Sequence, residues 1–193
     1  MPINVSMPVV LRAKCVVVGD STVGKSALTQ VFHSDGTHFP KAYSMTVGVE
    51  LCVKSVTIPD TSNSVELYIY DSAGKEMFSD YVQQMWDGPS LAVVMFDVTN
   101  EKSFSSCTKW LERVKSKAGR AIQAVLIGNK TDLATRRTVT ESMAQKAAAS
   151  LEVEYFECSA KEQENKEAPF YYLANAFYKK YQEKVAMTEA ISG

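Results

Sequence analysis

A glycine-rich segment that ends in lysine and serine carries the clearest chemical signal in the sequence. Gly19-Asp20-Ser21-Thr22-Val23-Gly24-Lys25-Ser26 matches the pattern G-x-x-x-x-G-K-S/T. Glycines let a backbone curl so that successive N–H groups point at phosphate oxygens. Lys25 would then place its ammonium against the β and γ phosphates, and the Ser26 hydroxyl would bind Mg²⁺. The segment therefore predicts a nucleotide-phosphate site.

Two further segments concern the base of that nucleotide. Asn129-Lys130-Thr131-Asp132 follows the apolar run 121–127, and Ser159-Ala160-Lys161 comes one strand–helix unit later. The Asp132 carboxylate can accept two hydrogen bonds, from guanine N1–H and from its exocyclic amine. Adenine offers no such pair of donors, so the two segments together indicate guanine. A P-loop kinase or a metabolic NTPase is a disfavoured alternative.

Composition limits the class of protein further. The chain has 193 residues, 46% of them hydrophobic, with 21 basic and 22 acidic side chains and a formal net charge of −1. These values predict one folded domain and argue against both a disordered chain and a dedicated nucleic-acid binder. Four cysteines lie inside apolar runs and are predicted to be buried free thiols of a reducing compartment: Cys15, Cys52, Cys107 and Cys158. Apolar runs are shorter than the roughly 20 residues of a membrane span, so we expect a cytoplasmic protein.

Six apolar runs alternate with helical patterns along the chain, at residues 13–19, 49–58, 65–70, 91–96, 121–127 and 153–158. The second and third runs mix polar with apolar residues around a turn at 59–63, which predicts an antiparallel hairpin at a sheet edge. Helices are expected after Lys25, over the stripe Phe104–Val114, from a Thr138–Glu141 capping box with Met143 facing inward, and over 167–185. The pattern predicts an α/β fold, with a mostly parallel sheet whose ligands bind at the C-terminal ends of its strands.

Taken with Asp71-Ser72-Ala73-Gly74, the order and spacing of these motifs resemble the small GTPases of the Ras superfamily. Thr46-Val47-Gly48-Val49-Glu50 resembles the Rab branch. The resemblance covers about residues 12–185. It implies a single P-loop domain at 12–186 after an extension at 1–11 and before a short tail at 187–193. Its fold would be a six-stranded sheet, mostly parallel with one antiparallel edge strand, with helices on both faces.

The resemblance also implies roles for single residues. Thr46 would bind Mg²⁺ and sense the γ phosphate, Asp71 would hold Mg²⁺ through water, and the Gly74 N–H would contact the γ phosphate. The implied Mg²⁺ set is Ser26, Thr46 and Asp71, and the implied catalytic set is Lys25, Thr46, Gly74 and Lys75. GTP or GDP would be the ligand, and Mg²⁺ the cofactor.

Roles at the base follow in the same way. Asn129 and Asp132 would read guanine, the Ala160 N–H would bond to its O6, and the stem of Lys130 would cover the ring. Phe39 matches an aromatic that packs on the base edge, although it could instead anchor the loop, and Tyr43 could simply face solvent. The implied nucleotide-binding set is Gly19, Asp20, Ser21, Thr22, Val23, Gly24, Lys25, Ser26, Ala27, Phe39, Tyr43, Thr46, Gly74, Asn129, Lys130, Asp132, Ser159, Ala160 and Lys161.

A narrower resemblance rests on residues 36–39, 71–76, 106–111 and 167–170. These segments are similar to the Rab-like GTPase subunit of the intraflagellar-transport B complex. That resemblance implies cargo transport and assembly of the cilium or flagellum, a location there and in its basal region, and a heterodimer with a small β-sandwich subunit. A Rab-type vesicle-trafficking switch, or an assembly subunit whose nucleotide is purely structural, remains an alternative.

Lys75 departs from the superfamily pattern, which has a catalytic glutamine at this place. An ammonium has three donors and no acceptor, so it cannot position the attacking water as an amide does. We therefore predict slow intrinsic hydrolysis; the alternative is a harmless surface substitution.

The C-terminal part of the sequence bears on how the protein is located. No cysteine follows Cys158, so the given chain has no C-terminal prenylation motif, and we expect proteins rather than lipid to position it. Residues 170–181 hold six aromatics in twelve positions. The predicted core stripe is Phe170, Leu173, Ala174, Phe177, Tyr181 and Val185. Flanking or opposite it, Tyr171, Tyr172 and Tyr178 are predicted to contact a partner; the alternative is an aromatic-rich core helix.

Overall fold

The computed structural model describes residues 7–42 and 44–192. Within them, six strands form one sheet in the order β2-β3-β1-β4-β5-β6, and only the β2–β3 pair is antiparallel. The strands are β1 (Val10–Val18), β2 (Val49–Thr57), β3 (Ser64–Ser72), β4 (Leu91–Asp97), β5 (Gln123–Asn129) and β6 (Glu154–Cys158). This architecture confirms the predicted α/β fold with one antiparallel edge strand.

Helices cover both faces of the sheet. They are α1 (Lys25–His33), α2 (Ser79–Gln84), α3 (Glu101–Ser105), α4 (Cys107–Ala118), α5 (Glu141–Leu151) and α6 (Ala168–Ser192). Short 3₁₀ segments lie at Glu76–Phe78 and Thr131–Arg136. Side chains of α1 and α6 pack on one face, among them Phe32 and Phe170, whose rings stack at 4.1 Å. Side chains of α2, α4 and α5 pack on the other, around Trp86 and Trp110.

Two helix predictions were wrong in detail. The N-cap of α5 is Thr140, whose hydroxyl accepts a hydrogen bond from the Met143 N–H, while the backbone N–H of Thr138 donates to Val98 O. Because Ala144 and Ala148 face the core, Met143 lies beside that face and is 41% exposed. The stripe predicted as one helix over Phe104–Val114 is divided between α3 and α4 at Ser106.

The last helix differs from its prediction at its C-terminal end. It continues to Ser192, seven residues beyond the expected end at 185, and Tyr181 and Val185 are partly exposed there. The prediction that Tyr178 contacts a partner was wrong, because its ring packs in the core and is 8% exposed. Asn63 from the β2–β3 turn donates a hydrogen bond to its hydroxyl (2.6 Å).

Burial of the cysteines follows the prediction with one exception. Cys15, Cys107 and Cys158 are buried free thiols, whereas Cys52 on the edge strand β2 is half-buried. None of the described helices combines the length and the apolar character needed to cross a bilayer.

Candidate guanine-nucleotide site

The loop between β1 and α1 has the conformation expected of a phosphate cradle. Gly24 has a φ of 99°, in the left-handed region that favours glycine. A Cβ at this position would also collide with Asn129 Nδ2. Gly24 therefore serves both the curl of the phosphate loop and its contact with the C-terminal end of β5.

Lys25 lies at the centre of this cradle. Its Nζ donates to Gly19 O (2.9 Å) and Asp20 O (2.8 Å), and the side chain is buried. Burial lowers the pKa of Lys25 to about 8, although Asp71 and Asp20 oppose the shift. The ammonium is therefore aimed at the space where phosphates would bring compensating negative charge.

The three residues predicted to bind Mg²⁺ meet beside Lys25. Ser26 Oγ lies 2.9 Å from Thr46 Oγ1 and donates to Asp71 Oδ2. The other carboxylate oxygen, Asp71 Oδ1, is buried, and no donor among the described residues reaches it. Hydroxyl and carboxylate oxygens are the ligands that Mg²⁺ prefers, so these residues fit the cation.

The charged form of Asp71 is disfavoured by its burial. Burial raises its pKa to about 6, while the hydrogen bond from Ser26 and the charge of Lys25 oppose that rise. A divalent cation at the free oxygen would supply the charge that water no longer provides.

The segment after β3 closes over the phosphate loop. A Cβ on Gly74 would lie 2.5 Å from both Asp20 C and Ser21 N, so only glycine allows this approach. A cavity of about 140 Å³ opens here, and Lys25, Thr46, Gly74 and Lys75 all contribute to its lining. The four residues predicted to act at the γ phosphate thus face one space.

Asn129, the last residue of β5, connects the phosphate loop with the loop that follows β6. Its Nδ2 donates to Val23 O (2.8 Å) in the phosphate loop, and its Oδ1 accepts from the Ala160 N–H (3.1 Å). The side chain is fully buried. Asn129 and Ala160, both predicted to contact guanine, therefore bond to each other, and Asn129 acts here as a bridge.

Asp132, predicted to read guanine, lies in the 3₁₀ segment that follows β5. Ser159 Oγ donates to its Oδ1 (2.7 Å), and Lys161 Nζ lies 4.0 Å from its Oδ2. The carboxylate is fixed in orientation and keeps acceptor capacity for a base. Phe39 is 38% exposed and is not among the residues that line the γ-phosphate cavity, and Tyr43 lies outside the described residues, so both contacts stay predictions.

Two anchors provided by α4 and its N-cap, Ser106, were not predicted from the sequence. Trp110 Nε1 (2.8 Å) and Ser106 Oγ (2.9 Å) both donate to the carboxylate of Asp20. Glu76, two residues after Gly74, pairs with Lys109 Nζ (2.9 Å) and with Arg113. Hydrogen bonds from Arg113 and Lys109 lower the pKa of Glu76 to about 2. One side of α4 thus holds the phosphate loop and the segment that closes over it.

Asp97 at the end of β4 is a third unpredicted contributor. Its Oδ2 lies 2.6 Å from Lys130 Nζ, and its Oδ1 accepts from the backbone N–H and the hydroxyl of Thr99. Burial would raise the pKa of Asp97, but Lys130 and Thr99 hold it below its ordinary value. Lys130 itself has a φ of 70°, so Asp97 holds a strained residue in place.

Replacing Asp97 by asparagine is expected to speed release of a fluorescent GDP analogue about tenfold, because charge-assisted hydrogen bonds contribute about 1.5–3 kcal/mol. Release after mixing with excess GDP measures the effect. Lys130→Ala should give a similar rate, and the double variant should add little to it. An unchanged release rate in Asp97→Asn would contradict this role.

The phosphate loop, Asp71 and the two segments predicted to hold the base lie at the C-terminal ends of β1, β3, β5 and β6. This arrangement defines a guanine-nucleotide-binding P-loop domain. The sequence model of the Ras family matches residues 14–179, and the chain belongs to that family.

Curated relatives refine this assignment. The chain is 52% identical to "Intraflagellar transport protein 27 homolog" of Bos taurus, over 94% of this chain and 98% of the relative. It is 45% identical to "Intraflagellar transport protein 27" of Chlamydomonas reinhardtii, over 91% of this chain and 89% of the relative. Identity to "Ras-related protein Rab-30" of Homo sapiens is 35%, over 83% of this chain and 77% of the relative.

Proposed function

We propose that this small GTPase acts in intraflagellar transport, as a subunit of the B complex in the cilium or flagellum and its basal region. The observation that carries the proposal is the difference in similarity: 45–54% identity to the intraflagellar-transport relatives above and in Mus musculus, against 35% to Rab-30. The same difference disfavours the Rab-type vesicle switch.

A fluorescently tagged copy expressed in flagellated cells tests this role. We expect tagged particles that move along the flagellum at the speed of a tagged B-complex subunit. A Lys25→Ala copy, which lacks the phosphate-binding ammonium, serves as the comparison for nucleotide dependence. A tagged protein that is confined to cytoplasmic vesicles would contradict the proposal and favour the Rab-type alternative.

The chain's own residues account for binding and orientation of GTP. Backbone N–H groups of the phosphate loop and the Lys25 ammonium would hold the phosphates. Ser26, Thr46 and Asp71 would hold Mg²⁺, which supplies charge stabilisation to the phosphates when bound. Thr46 and the Gly74 N–H would respond to the γ phosphate, so their segments form the state-dependent surface.

Lys75 makes the proposed hydrolysis slow. It is exposed and lines the γ-phosphate cavity, and its neighbour Glu76 is tied to α4 by Lys109 and Arg113. An ammonium in that position can donate to a phosphate oxygen but cannot accept a hydrogen bond from the attacking water and so cannot orient it as an amide does. The site would therefore bind GTP and hydrolyse it slowly.

Lys75→Gln is expected to hydrolyse GTP at least about tenfold faster than wild type, because the amide oxygen can accept a hydrogen bond from the attacking water and orient it, and one hydrogen bond is worth about 1 kcal/mol. Single-turnover hydrolysis of preloaded GTP measures it. Lys75→Met removes the ammonium without adding an acceptor and should stay slow. Equal rates for wild type and Lys75→Gln, or a faster wild type, would contradict the prediction.

For the partner, we propose a small β-sandwich subunit that contacts the outer side of α6. Tyr171 and Tyr172 support this surface, since they are 43% and 39% exposed. Each ring is braced from behind, with the Tyr171 ring centroid 6.3 Å from that of Phe32 and the Tyr172 centroid 5.7 Å from that of Phe156. Rings held in this way lose little conformational freedom on binding.

Tyr172→Asp is expected to weaken the co-purified pair at least tenfold, because a central aromatic at an interface typically contributes about 2 kcal/mol or more. Affinity measured by calorimetry, with Tyr172→Phe as the conservative control, decides the point. An unweakened complex would remove Tyr172 from the interface. Equal affinity of GTP- and GDP-loaded protein for this partner would favour the alternative in which the nucleotide is structural.

A further inference from the structure

A second cavity lies at the end of the sheet opposite the phosphate loop. It has a volume of about 330 Å³ and lies between α6, the start of β1 and the segments that enter β4 and β5. These three strands are parallel, so their N-terminal ends share one edge, whereas the phosphate loop follows the C-terminal end of β1. The cavity is therefore separate from the nucleotide site.

The surface of this cavity combines apolar and cationic groups. Leu11, Ala121, Phe177 and Tyr181 supply its apolar part. Of the ten lining residues, four are cationic and none is acidic, although the whole chain has 21 basic and 22 acidic side chains. The four cations are Arg12, Arg120, Lys180 and Lys184.

The cations are held around the cavity and are poorly neutralised. Arg120 Nη2 donates to Ser90 Oγ (3.0 Å), and Lys180 Nζ donates to Ala121 O (3.2 Å). Only Arg12 among the four makes an ion pair within the described residues, to Glu66 at 3.0 Å. Lys180 and Lys184 are one helical turn apart, a spacing at which like charges repel.

We propose that this cavity binds a small organic anion with an apolar body, a medium-chain carboxylate being the simplest example. Its volume lies near the lower end of the roughly 300–1,000 Å³ found for small-molecule sites. A bare phosphate would leave Leu11 and Phe177 uncovered, and an uncharged hydrocarbon would leave the cations uncompensated. The anion would place its head near Arg120 and Lys180 and its chain against Phe177.

Calorimetric titration of the full chain, loaded with GDP and Mg²⁺, tests the proposal with three probes: sodium decanoate below its micellar concentration, decanol and inorganic phosphate. We expect saturable one-to-one binding of decanoate, with the other two probes at least tenfold weaker. Lys180→Glu and, separately, Lys184→Glu at an exposed position should each weaken the binding of decanoate at least tenfold. Lys179→Glu makes the same charge change at an exposed position of α6 outside the cavity and should leave binding unchanged.

Several results would overturn the proposal. Absence of saturable decanoate binding, equal binding of decanol, or equal weakening by Lys179→Glu would each do so. Flotation with vesicles of phosphatidylserine and phosphatidylcholine separates a free ligand from a lipid surface. Vesicle binding that Lys180→Glu abolishes, without binding of free decanoate, would replace the small-molecule site by a membrane contact. The melting temperature of each variant confirms that it is folded.

Discussion

Asp132→Ala is expected to weaken GDP binding at least about 100-fold, because a hydrogen bond to a charged group is worth about 1.5–3 kcal/mol and two are lost. The structure fixes this carboxylate by the Ser159 hydroxyl and leaves it acceptor capacity for a base. Dissociation constants for GDP and for inosine diphosphate, which lacks the exocyclic amine, measure the effect. Wild type should prefer GDP clearly, and the variant should bind both nucleotides with similar affinity.

Loss of loop structure is the competing explanation for weak binding by Asp132→Ala. Ser159→Ala separates the two, because it removes the hydrogen bond between Ser159 and Asp132 while the carboxylate remains. We expect Ser159→Ala to bind GDP less tightly but to keep its preference over inosine diphosphate. A preference retained by Asp132→Ala would show that another group reads the exocyclic amine.

Asp71→Asn is expected to have two effects of opposite sign. Burial raises the pKa of Asp71 to about 6, so the neutral acid suits the metal-free site better than the carboxylate does. In wild type, the stabilisation that comes from protonated Asp71 is fully present below the unfolded pKa near 3.9, and it is lost as the pH rises through about 6. At pH 7.5 without Mg²⁺, the variant should therefore be more stable than wild type.

The size of that stabilisation has an upper bound. A shift of one pKa unit corresponds to about 1.4 kcal/mol, which bounds the gain at about 3 kcal/mol. Loss of the countercharge for Lys25 will reduce it. A rise in melting temperature of roughly 3–8 °C follows for a chain of this size. Thermal unfolding in EDTA at pH 4 and pH 7.5 measures it, and the difference between variant and wild type should shrink at pH 4.

Mg²⁺ dependence provides the second readout for Asp71→Asn. The variant should need at least tenfold more Mg²⁺ to retain GDP, since a neutral amide replaces the charged oxygen. Ser26→Ala is the matched control, because it also removes a predicted Mg²⁺ ligand but takes away a hydrogen bond that favours the carboxylate. It should weaken Mg²⁺ binding without raising stability in EDTA. A melting temperature of Asp71→Asn below that of wild type in EDTA would contradict the electrostatic argument.

Local sequence patterns were sufficient to predict much of the fold and of the nucleotide motifs. Each buried strand is a short apolar run, and the phosphate and base motifs are contiguous segments, so both could be read from neighbouring residues. The start of α5 could not, because Thr138 and Thr140 are both threonines near Glu141. Which threonine caps the helix depends on the hydrogen bond from the backbone N–H of Thr138 to Val98 O, just after β4.

The missed contributors depend on contacts between distant parts of the chain. Asp20 and Trp110 are 90 positions apart, and Glu76 and Arg113 are 37 apart. Tyr178 lies at the border of the core stripe of α6, where helical periodicity alone does not decide between core and surface. Its ring packs in the core, and Asn63, 115 positions away, provides a hydrogen-bond donor for its hydroxyl. Such pairs follow from the folded sheet and leave no periodic signal.

The bridge made by Asn129 has a consequence for conformational entropy. Its two hydrogen bonds join the carbonyl of Val23 and the N–H of Ala160 through one buried amide at the end of β5, so two separate loops become ordered together. A nucleotide that orders the phosphate loop thereby lowers the entropic cost of ordering the base loops, and the reverse also holds. Hydrogen exchange of the Ala160 amide would then slow when phosphates bind, although that amide lies on the loop for the base.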